Sequence, residues 1–313
     1  MTAPDRISGV LTPVITPFGA GLAPDAGRLI RQCRWLLDQD VGLAVFGTNS
    51  EANSLSTDEK LELIDKLIEA GISPERMMPG TGCCAITDTV RLTNHAVQAG
   101  CGGVLMLPPF YYKGVSDDGL FAAFSEAIER VGDDNLRVYL YQIPPISQVP
   151  LSVALIERLI KAYPETVVGI KDSSGDWSNT KSMLDAGWDD FRIFAGAESF
   201  LLANMRGGGA GCISATANVN AAAIHDLFQT WQDPDAEDKQ AALDAVRERY
   251  MRVPMIPALK AAVAHFSGDP VWNAVRPPLM ALNEAEKSVL LDGLAEIDFV
   301  IKGLSPPEDQ AAE

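Results

Sequence analysis

The chain has 313 residues, of which 47% are hydrophobic and 21% are charged, and its formal net charge is -17. This composition is that of a globular protein with a large core, and the length fits either one α/β barrel or two smaller domains. The acidic balance argues against nucleic acid and anionic membrane surfaces as partners, because both bind basic surfaces.

Eight short apolar runs predict strands, and helix-patterned segments lie between most of them. The predicted strands cover residues 9–16, 42–46, 77–80, 103–106, 137–141, 167–171, 192–195 and 211–214. Strands that alternate with helices favour a (β/α)8 TIM barrel, and a doubly wound parallel sheet is the alternative.

Two of the intervening helices are clearly marked in the sequence. Ser56 and Glu59 have the spacing of a capping box at the start of a helix predicted over residues 58–70. A second apolar stripe predicts a helix over residues 151–162, and Pro150 suits the entry to that helix.

The pattern changes after the eighth predicted strand, because only helices are predicted from residue 221 onward. They cover residues 221–231, 236–253, 256–266 and 284–302. We therefore predict a barrel with the active site in residues 1–232 and a C-terminal helical domain in residues 233–313. The tail from residue 305 is rich in Pro, Glu and Ala, and we expect it to be frayed.

The cysteines and the N-terminal residues of the sequence predict the cellular compartment of the protein. The five cysteines include no C-x-x-C motif, which is typical of free thiols in a reducing compartment. The start, Met1 to Arg6, lacks the layout of a signal peptide, and no apolar run approaches the roughly 20 residues of a membrane span. We therefore expect a cytoplasmic protein without a membrane segment.

The strand predicted over residues 167–171 ends on Lys171. Catalytic residues of barrel enzymes gather at the carboxyl ends of strands. Burial disfavours the charged form of an amine, and a neutral amine can attack a carbonyl carbon. Taken alone, however, the pattern favours a strand-end lysine that reaches solvent or pairs with Asp172.

Polar side chains follow other predicted strands at the same end. Tyr141 closes the strand before that of Lys171, and adjacent strands run about 4.8 Å apart. The turn at residues 47–51 carries Thr48 and Asn49, and it suits either a carboxylate held by backbone N–H groups or a polar turn with a helix cap. An amine beside a phenol predicts Schiff-base chemistry on a keto acid, with Tyr141 moving protons.

The three histidines, His95, His225 and His265, fall in helix-patterned segments away from the strand ends. A catalytic metal would need His and carboxylate clusters at the mouth, and a Ser-His-Asp relay would need a histidine there. We therefore expect no metal centre and no such relay.

Several short motifs follow one another over nearly the whole chain. They are GVLTPVITPF at 9–18, GTNSE at 47–51, YY at 111–112, YQIP at 141–144, GIKDSSG at 169–175, ISATAN at 213–218 and RPPL at 276–279. Each motif alone is weak, but their order and spacing together are specific. Through them the chain resembles the dihydrodipicolinate synthase / N-acetylneuraminate lyase family of class I pyruvate aldolases.

The resemblance implies a barrel with a C-terminal helical domain, usually assembled as a homotetramer that is a dimer of dimers. It implies Lys171 as the lysine that forms a Schiff base with pyruvate and Tyr141 as the phenol that shuttles protons. Thr48 then links Tyr141 to Tyr112, and in the tetrameric synthases that second tyrosine comes from a neighbouring subunit.

The resemblance also implies the residues that bind the keto acid. Thr48 and Asn49 match the turn that holds the carboxylate, and Gly196 and Ile213 match residues that line the pyruvate pocket. No cofactor or metal is implied, because the imine itself is the electron sink.

Three departures from the family pattern bear on the substrate. Ile146 stands where the synthases carry an arginine for the carboxylate of aspartate semialdehyde, and an apolar side chain does not replace that bidentate contact. This feature is similar to the sialic-acid lyase branch, in which the position of Glu198 contacts substrate hydroxyls. Asn49 and Ser50 replace the usual Thr and Gly, which is similar to the 4-hydroxy-2-oxoglutarate aldolase branch.

The leading prediction is a lyase that cleaves or condenses a 4-hydroxy-2-keto acid, with pyruvate as the imine-forming component and an aldehyde as the second substrate. The alternatives are a 4-hydroxy-tetrahydrodipicolinate synthase proper and a 2-keto-3-deoxy sugar acid dehydratase. A non-catalytic keto-acid sensor on the same scaffold is the alternative from a different class.

Overall fold

A curled, seven-stranded parallel sheet forms the centre of the computed structural model, which describes residues 6–304. The predicted frayed tail lies outside the described residues. The strands run in the spatial order β2-β1-β7-β6-β5-β4-β3. They are β1 (Gly9–Thr12), β2 (Gly42–Leu43), β3 (Val104–Met106), β4 (Val138–Gln142), β5 (Val167–Asp172), β6 (Arg192–Ala195) and β7 (Gly211–Ile213).

The run at residues 77–80 was predicted as a strand, and that prediction was wrong. Met77 and Gly80 instead form isolated parallel bridges, to Leu43 of β2 and to Leu105 of β3. Pro79 has no N–H group to donate, which interrupts a strand ladder. The run nevertheless joins the two edge strands of the curled sheet, since the N–H of Met78 donates to Leu43 O at 2.8 Å and that of Leu105 donates to Pro79 O at 2.9 Å.

Helices follow most of the strands and cover the outside of the sheet. They are α1 (Ala26–Leu37), α2 (Thr57–Glu69), α3 (Ile86–Gln98), α4 (Asp117–Val131), the short α5 (Pro144–Ser147), α6 (Val153–Ala162), α7 (Trp177–Asp185), α8 (Leu201–Arg206) and α9 (Ala217–Gln229). The predicted capping box begins α2, with the N–H of Glu59 donating to Ser56 Oγ at 3.2 Å and the N–H of Ser56 donating to Glu59 Oε2 at 2.8 Å.

Beyond α9 the described chain has helices where they were predicted, but the last one ends at Ala295 rather than at residue 302. This part of the chain contains α10 (Ala236–Tyr250), α11 (Met255–Ser267) and α12 (Glu284–Ala295). These helices contribute Tyr250, Leu259 and Leu290 to a buried apolar cluster that also contains Ile15 and Ala215, so they pack against the rest of the chain. Within residues 6–304, no helix is long and apolar enough to cross a membrane.

The inner face of the sheet is packed with side chains. One buried cluster takes residues from around the whole sheet, namely Leu11, Ala44, Met78, Leu105, Tyr139, Tyr141, Val168, Phe194, Ala210 and Ile213. Because this interior is filled, ligands are excluded from it and the room for a site lies at the carboxyl ends of the strands.

A bulge between β4 and β5 fixes which residues meet at that end. The pairing shifts so that Val138 lies opposite Val167 but Tyr139 lies opposite Gly169. A Cβ atom at Gly169 would lie 2.5 Å from the Tyr139 ring, so the strand needs glycine where the ring crosses it. From this point on the two strands stay in register, which brings Tyr141 opposite Lys171.

Candidate active site

Lys171 and Tyr141 lie side by side at the carboxyl ends of β5 and β4. The lysine is 2% exposed and the tyrosine 3% exposed. Lys171 Nζ lies 4.4 Å from the centroid of the Tyr141 ring. Within the described residues the amine has no carboxylate partner, so the ring face is its main protein neighbour.

Asp172, the alternative partner for Lys171, is occupied by other groups. Its carboxylate accepts hydrogen bonds from Thr180 Oγ1 at 2.6 Å, Asn179 Nδ2 at 3.0 Å and Gln142 Nε2 at 3.2 Å. The backbone N–H and the hydroxyl of Ser174 also donate to it. Asp172 therefore orders the turn after β5 and leaves the amine of Lys171 without an ion pair.

Thr48 completes a short polar chain with the tyrosine. Its Oγ1 lies 2.9 Å from the Tyr141 hydroxyl, and either oxygen can be the donor. Thr48 begins a tight turn (Thr48–Ser50) after β2. Within residues 6–304 the backbone N–H groups of Thr48 and Asn49 have no protein acceptor, and such free N–H groups favour a bound anion.

A buried ion pair holds the turn from below. Glu51 follows the turn in a left-handed conformation (φ 55°), and its carboxylate binds Lys260 Nζ of α11. Both side chains are fully buried. The backbone N–H of Arg276 donates to Glu51 Oε2 at 3.0 Å, and Lys260 Nζ also donates to Ala274 O at 2.7 Å. Burial lowers the pKa of Lys260 to about 8, although the Glu51 carboxylate opposes that shift.

An open cavity of about 290 Å³ lies above these strand ends. Lys171, Tyr141, Asn49 and Gly196 all line it. A Cβ atom at Gly196 would lie 2.2 Å from Ser173 Oγ, so glycine allows β6 to approach the end of β5. The other lining residues are Ile143, Asp172, Ser173, Gly175, Ala197, Phe200, Ala215, Arg247, Met251 and Met255.

Other expected site residues lie away from this cavity. Tyr112 is 72% exposed, and its ring packs edge-on against that of Tyr111 with the centroids 5.4 Å apart. Ile146 is 61% exposed on α5 and does not line the cavity. Ile213 is fully buried in the inner cluster, where it forms part of the floor below the site.

Glu198 lies behind the residues that line the cavity. It is 1% exposed, and its carboxylate binds the hydroxyls of Ser214 and Thr216 and the guanidinium of Arg247, whose Nη1 lies 2.9 Å from Glu198 Oε2. Glu198 does not line the cavity, but Arg247 does. Of this ion pair, the arginine thus faces the cavity and the glutamate does not.

Sequence reasoning missed Arg247 and also Lys60. Arg247 lies on α10, far from any strand end in the sequence, so no strand-end pattern indicates it. Lys60 lies on α2 and is 4% exposed, and it lines a second cavity with Thr48 and Tyr141. That cavity holds about 10 Å³, roughly the room for one water. Burial lowers the pKa of Lys60.

The described residues contain no group of three or more His, Cys, Asp or Glu side chains arranged to hold a metal ion. The site instead combines an unpaired buried amine, a phenol, a hydroxyl and two free backbone N–H groups. These features define an α/β protein in which a buried lysine lies at the carboxyl ends of the strands.

The comparisons with known proteins identify its family. The model of the Dihydrodipicolinate synthetase family matches residues 6–296, and the chain belongs to that family. It is 33% identical over 303 residues to an uncharacterized DapA-like lyase of Chloroflexus aurantiacus, covering 95% of this chain and 98% of the other. It is 28% identical to the 4-hydroxy-tetrahydrodipicolinate synthase of Methanococcoides burtonii, with 92% and 98% covered.

Solved structures agree with this assignment. The crystal structure of dihydrodipicolinate synthase from Agrobacterium tumefaciens is similar with a TM-score of 0.85 and 33% identity, over 93% of this chain and 99% of that one. YagE, a prophage protein of Escherichia coli K12 solved in complex with pyruvate, is similar with a TM-score of 0.86 and 26% identity, over 94% and 99%. The family resemblance expected from the motifs is thus confirmed, and the chain is that of a lyase family.

Proposed function

We propose that the protein is a pyruvate-dependent class I aldolase or lyase, which cleaves or forms a 4-hydroxy-2-keto acid through a Schiff base on Lys171. The observation that carries the proposal is the buried amine of Lys171, 4.4 Å from the Tyr141 ring and without an ion pair in the described chain. An amine that is not held in an ion pair is free to approach a carbonyl carbon, to which a lysine amine adds as a nucleophile.

In the cleavage direction, the Lys171 amine attacks the C2 carbonyl of the keto acid, and loss of water leaves a protonated imine. Tyr141 takes the proton of the C4 hydroxyl while the C3–C4 bond breaks. The electron pair of that bond moves to the imine nitrogen, so an aldehyde leaves and an enamine remains on Lys171. Protonation at C3 and hydrolysis then release pyruvate and restore the amine.

Thr48 supports the proton transfers, because its hydroxyl shares a 2.9 Å hydrogen bond with that of Tyr141. Tyr141 can pass its own proton to Thr48 along this bond when it accepts one from the substrate, and Thr48 then gives its hydroxyl proton to a water, for which the small cavity beside Thr48 and Tyr141 has room. The free N–H groups of Thr48 and Asn49 suit the keto-acid carboxylate, which fixes C2 above Lys171. The iminium is the electron sink, so the proposed chemistry uses no cofactor and no metal.

The position of Ile146 supports an aldolase rather than a synthase that uses aspartate semialdehyde. Its side chain is exposed on α5 and offers no cation to the cavity. We therefore propose that aspartate semialdehyde is a poor substrate. Efficient turnover of that aldehyde with pyruvate would contradict this part of the proposal.

We also propose that the protein assembles as a homotetramer. The exposed pair Tyr111 and Tyr112, 74% and 72% accessible in the single chain, supports an interface at this point. Light scattering after gel filtration measures the mass directly. A Tyr112→Ala variant should weaken the assembly, and a wild-type protein with the mass of one chain would overturn the proposal.

The direct test of the reaction is trapping of the imine. Incubation with pyruvate and borohydride should add a reduced pyruvyl group to the peptide that contains Lys171, as read by mass spectrometry. Lys171→Ala is the blank, and Lys60→Met controls for labelling of another buried lysine. A wild-type Lys171 peptide without the added group would refute the Schiff-base mechanism.

A further inference from the structure

Arg247 is a charged residue of the cavity to which the proposed chemistry assigns no role. It extends from α10 into the cavity that Lys171 and Tyr141 line, and its side chain is 19% exposed. A guanidinium carries five N–H donors. Within residues 6–304, only Nη1 of Arg247 has acceptors, Glu198 Oε2 at 2.9 Å and Ser214 Oγ at 3.4 Å.

Glu198 fixes the arginine from behind the cavity wall. The glutamate is 1% exposed and also accepts hydrogen bonds from the hydroxyls of Ser214 and Thr216. The two hydroxyls hold the carboxylate in place. The carboxylate in turn fixes one nitrogen of Arg247, Nη1. Nε and Nη2 keep their donor capacity for a group in the cavity.

The residues around Arg247 indicate what kind of molecule carries the group that it would bind. Met251 and Met255 also line the cavity, and Ala215 and Phe200 add further apolar surface. Such walls fit methylene groups, and flexible methionines adapt to chains of different length. The lining of the cavity thus combines a nucleophile, an apolar surface and a fork of cationic donors.

We propose that Arg247 is a specificity-determining residue that binds a second carboxylate, carried at the far end of a short aliphatic aldehyde. The substrate class is then a 4-hydroxy-2-keto diacid, whose first carboxylate lies at the Thr48–Asn49 turn. This inference rests on the proposed aldolase function. Ile146 offers no cation for a second carboxylate, and in this inference Arg247 of α10 supplies that cation instead.

A matched pair of substrates tests the assignment. One is 4-hydroxy-2-oxoheptanedioate, which would yield pyruvate and succinic semialdehyde, and the other is 4-hydroxy-2-oxoheptanoate, which would yield pyruvate and butanal. The wild type should cleave the diacid with at least about tenfold higher kcat/KM, because only the diacid satisfies the charged donors. Arg247→Met should remove most of that preference, and Arg247→Lys should keep part of it.

Two controls separate this inference from the proposed function. Lys239→Met removes one positive charge from the same helix at a site outside the cavity, and it should leave the preference within about twofold. Borohydride trapping of pyruvate on Lys171 should be equal in the wild type and in Arg247→Met, which shows that the imine site is intact.

Three outcomes would overturn the inference. The first is a wild type that cleaves the two acids equally or prefers the monoacid, a result that needs no variant. The second is an unchanged preference in a folded Arg247→Met. The third is a higher pyruvate requirement for imine trapping in Arg247→Met, because Arg247 would then bind the first carboxylate. Failure of trapping in the wild type would instead refute the aldolase proposal.

Discussion

Two buried lysines in this molecule have opposite surroundings. Lys260 is fully buried against Glu51 and also donates to Ala274 O. Lys171 is buried almost as deeply, but in residues 6–304 it has the Tyr141 ring beside it and no carboxylate partner. A paired buried lysine holds its neighbours in place, whereas the unpaired Lys171 lines the large cavity and is available for chemistry, so burial alone does not define a nucleophile.

The largest effect we expect is the loss of activity in Lys171→Met. Methionine has a similar length and no amine, so no imine forms and kcat should fall at least about a thousandfold. The free energy of unfolding should not fall, because the variant removes an unpaired buried amine rather than one member of a pair. Steady-state kinetics and chemical denaturation measure the two quantities. Residual turnover close to the wild-type rate would place the nucleophile elsewhere.

The same substitution at Lys260 should act on stability. Lys260→Met leaves the Glu51 carboxylate buried without its cation, which costs about 3–5 kcal/mol of unfolding free energy. Urea denaturation monitored by circular dichroism measures the loss. The double variant Lys260→Met/Glu51→Gln should recover part of it. If Lys260→Met is as stable as the wild type, the ion pair with Glu51 does not give Lys260 a structural role that Lys171 lacks.

Thr48→Val tests whether the hydroxyl of Thr48 takes part in the reaction at Lys171. The substitution keeps the shape of the side chain and removes the hydroxyl that meets Tyr141 at 2.9 Å. We expect kcat to fall about 10-fold to 100-fold with trapping of pyruvate retained. Ser50 serves as the matched control, because its Oγ accepts from the Gly47 N–H inside the turn and does not contact Tyr141. An equal loss in Ser50→Ala would indicate a purely structural effect.

A third buried lysine sharpens the comparison. Lys60 is 4% exposed, and its backbone N–H donates to Ser56 O, but in the part of the chain that the structure describes its side-chain amine has no hydrogen bond or ion pair. Burial lowers its pKa, so its charged form opposes folding at neutral pH. Lys60→Met should raise the unfolding free energy by about 1–2 kcal/mol and keep kcat within about threefold. A loss of kcat as large as that of Lys171→Met would bring Lys60 into the reaction.

The three lysines also show what the sequence can and cannot predict. Lys171 could be predicted because it ends an apolar strand, and strand direction fixes which end of the sheet it lies at. Lys260 sits in an apolar helical stretch, where the pattern gives no sign of Glu51, which is 209 positions away. Lys60 lies within a helix whose capping box and apolar stripe are clear, yet its burial depends on the packing of that helix.

The same limit applied to the charges of the site. Strand ends and turns are local features, so Tyr141, Thr48 and Asn49 could be placed together from the order of the strands. Arg247 reaches the cavity because α10 packs against α8 and α9, and no local pattern encodes that packing. The strand expected at residues 77–80 was wrong because the effect of Pro79 on the ladder outweighed the apolar run.

The smallest effect on stability is expected at the ion pair between Arg276 and Glu59, which lies next to the buried pair of Lys260 and Glu51. Arg276, whose N–H donates to Glu51, also forms a two-pronged contact with Glu59 at 2.8 Å and 2.5 Å. The Arg276 guanidinium lowers the pKa of Glu59 to about 2. The contact therefore contributes stability above the ordinary carboxyl pKa of about 4.3, and the contribution is lost as the pH falls toward 2.

Glu59→Gln should reduce the unfolding free energy at pH 7 by about 1 kcal/mol, since solvent screens this half-buried pair. The difference from the wild type should shrink between about pH 4.3 and pH 2, as measured by denaturation at each pH. Glu62→Gln is the matched control, because its partner Lys66 lies on the open surface of the same helix. A difference for Glu59→Gln that stays constant over this range would mean that lost packing, not lost charge, weakens the network around Lys260.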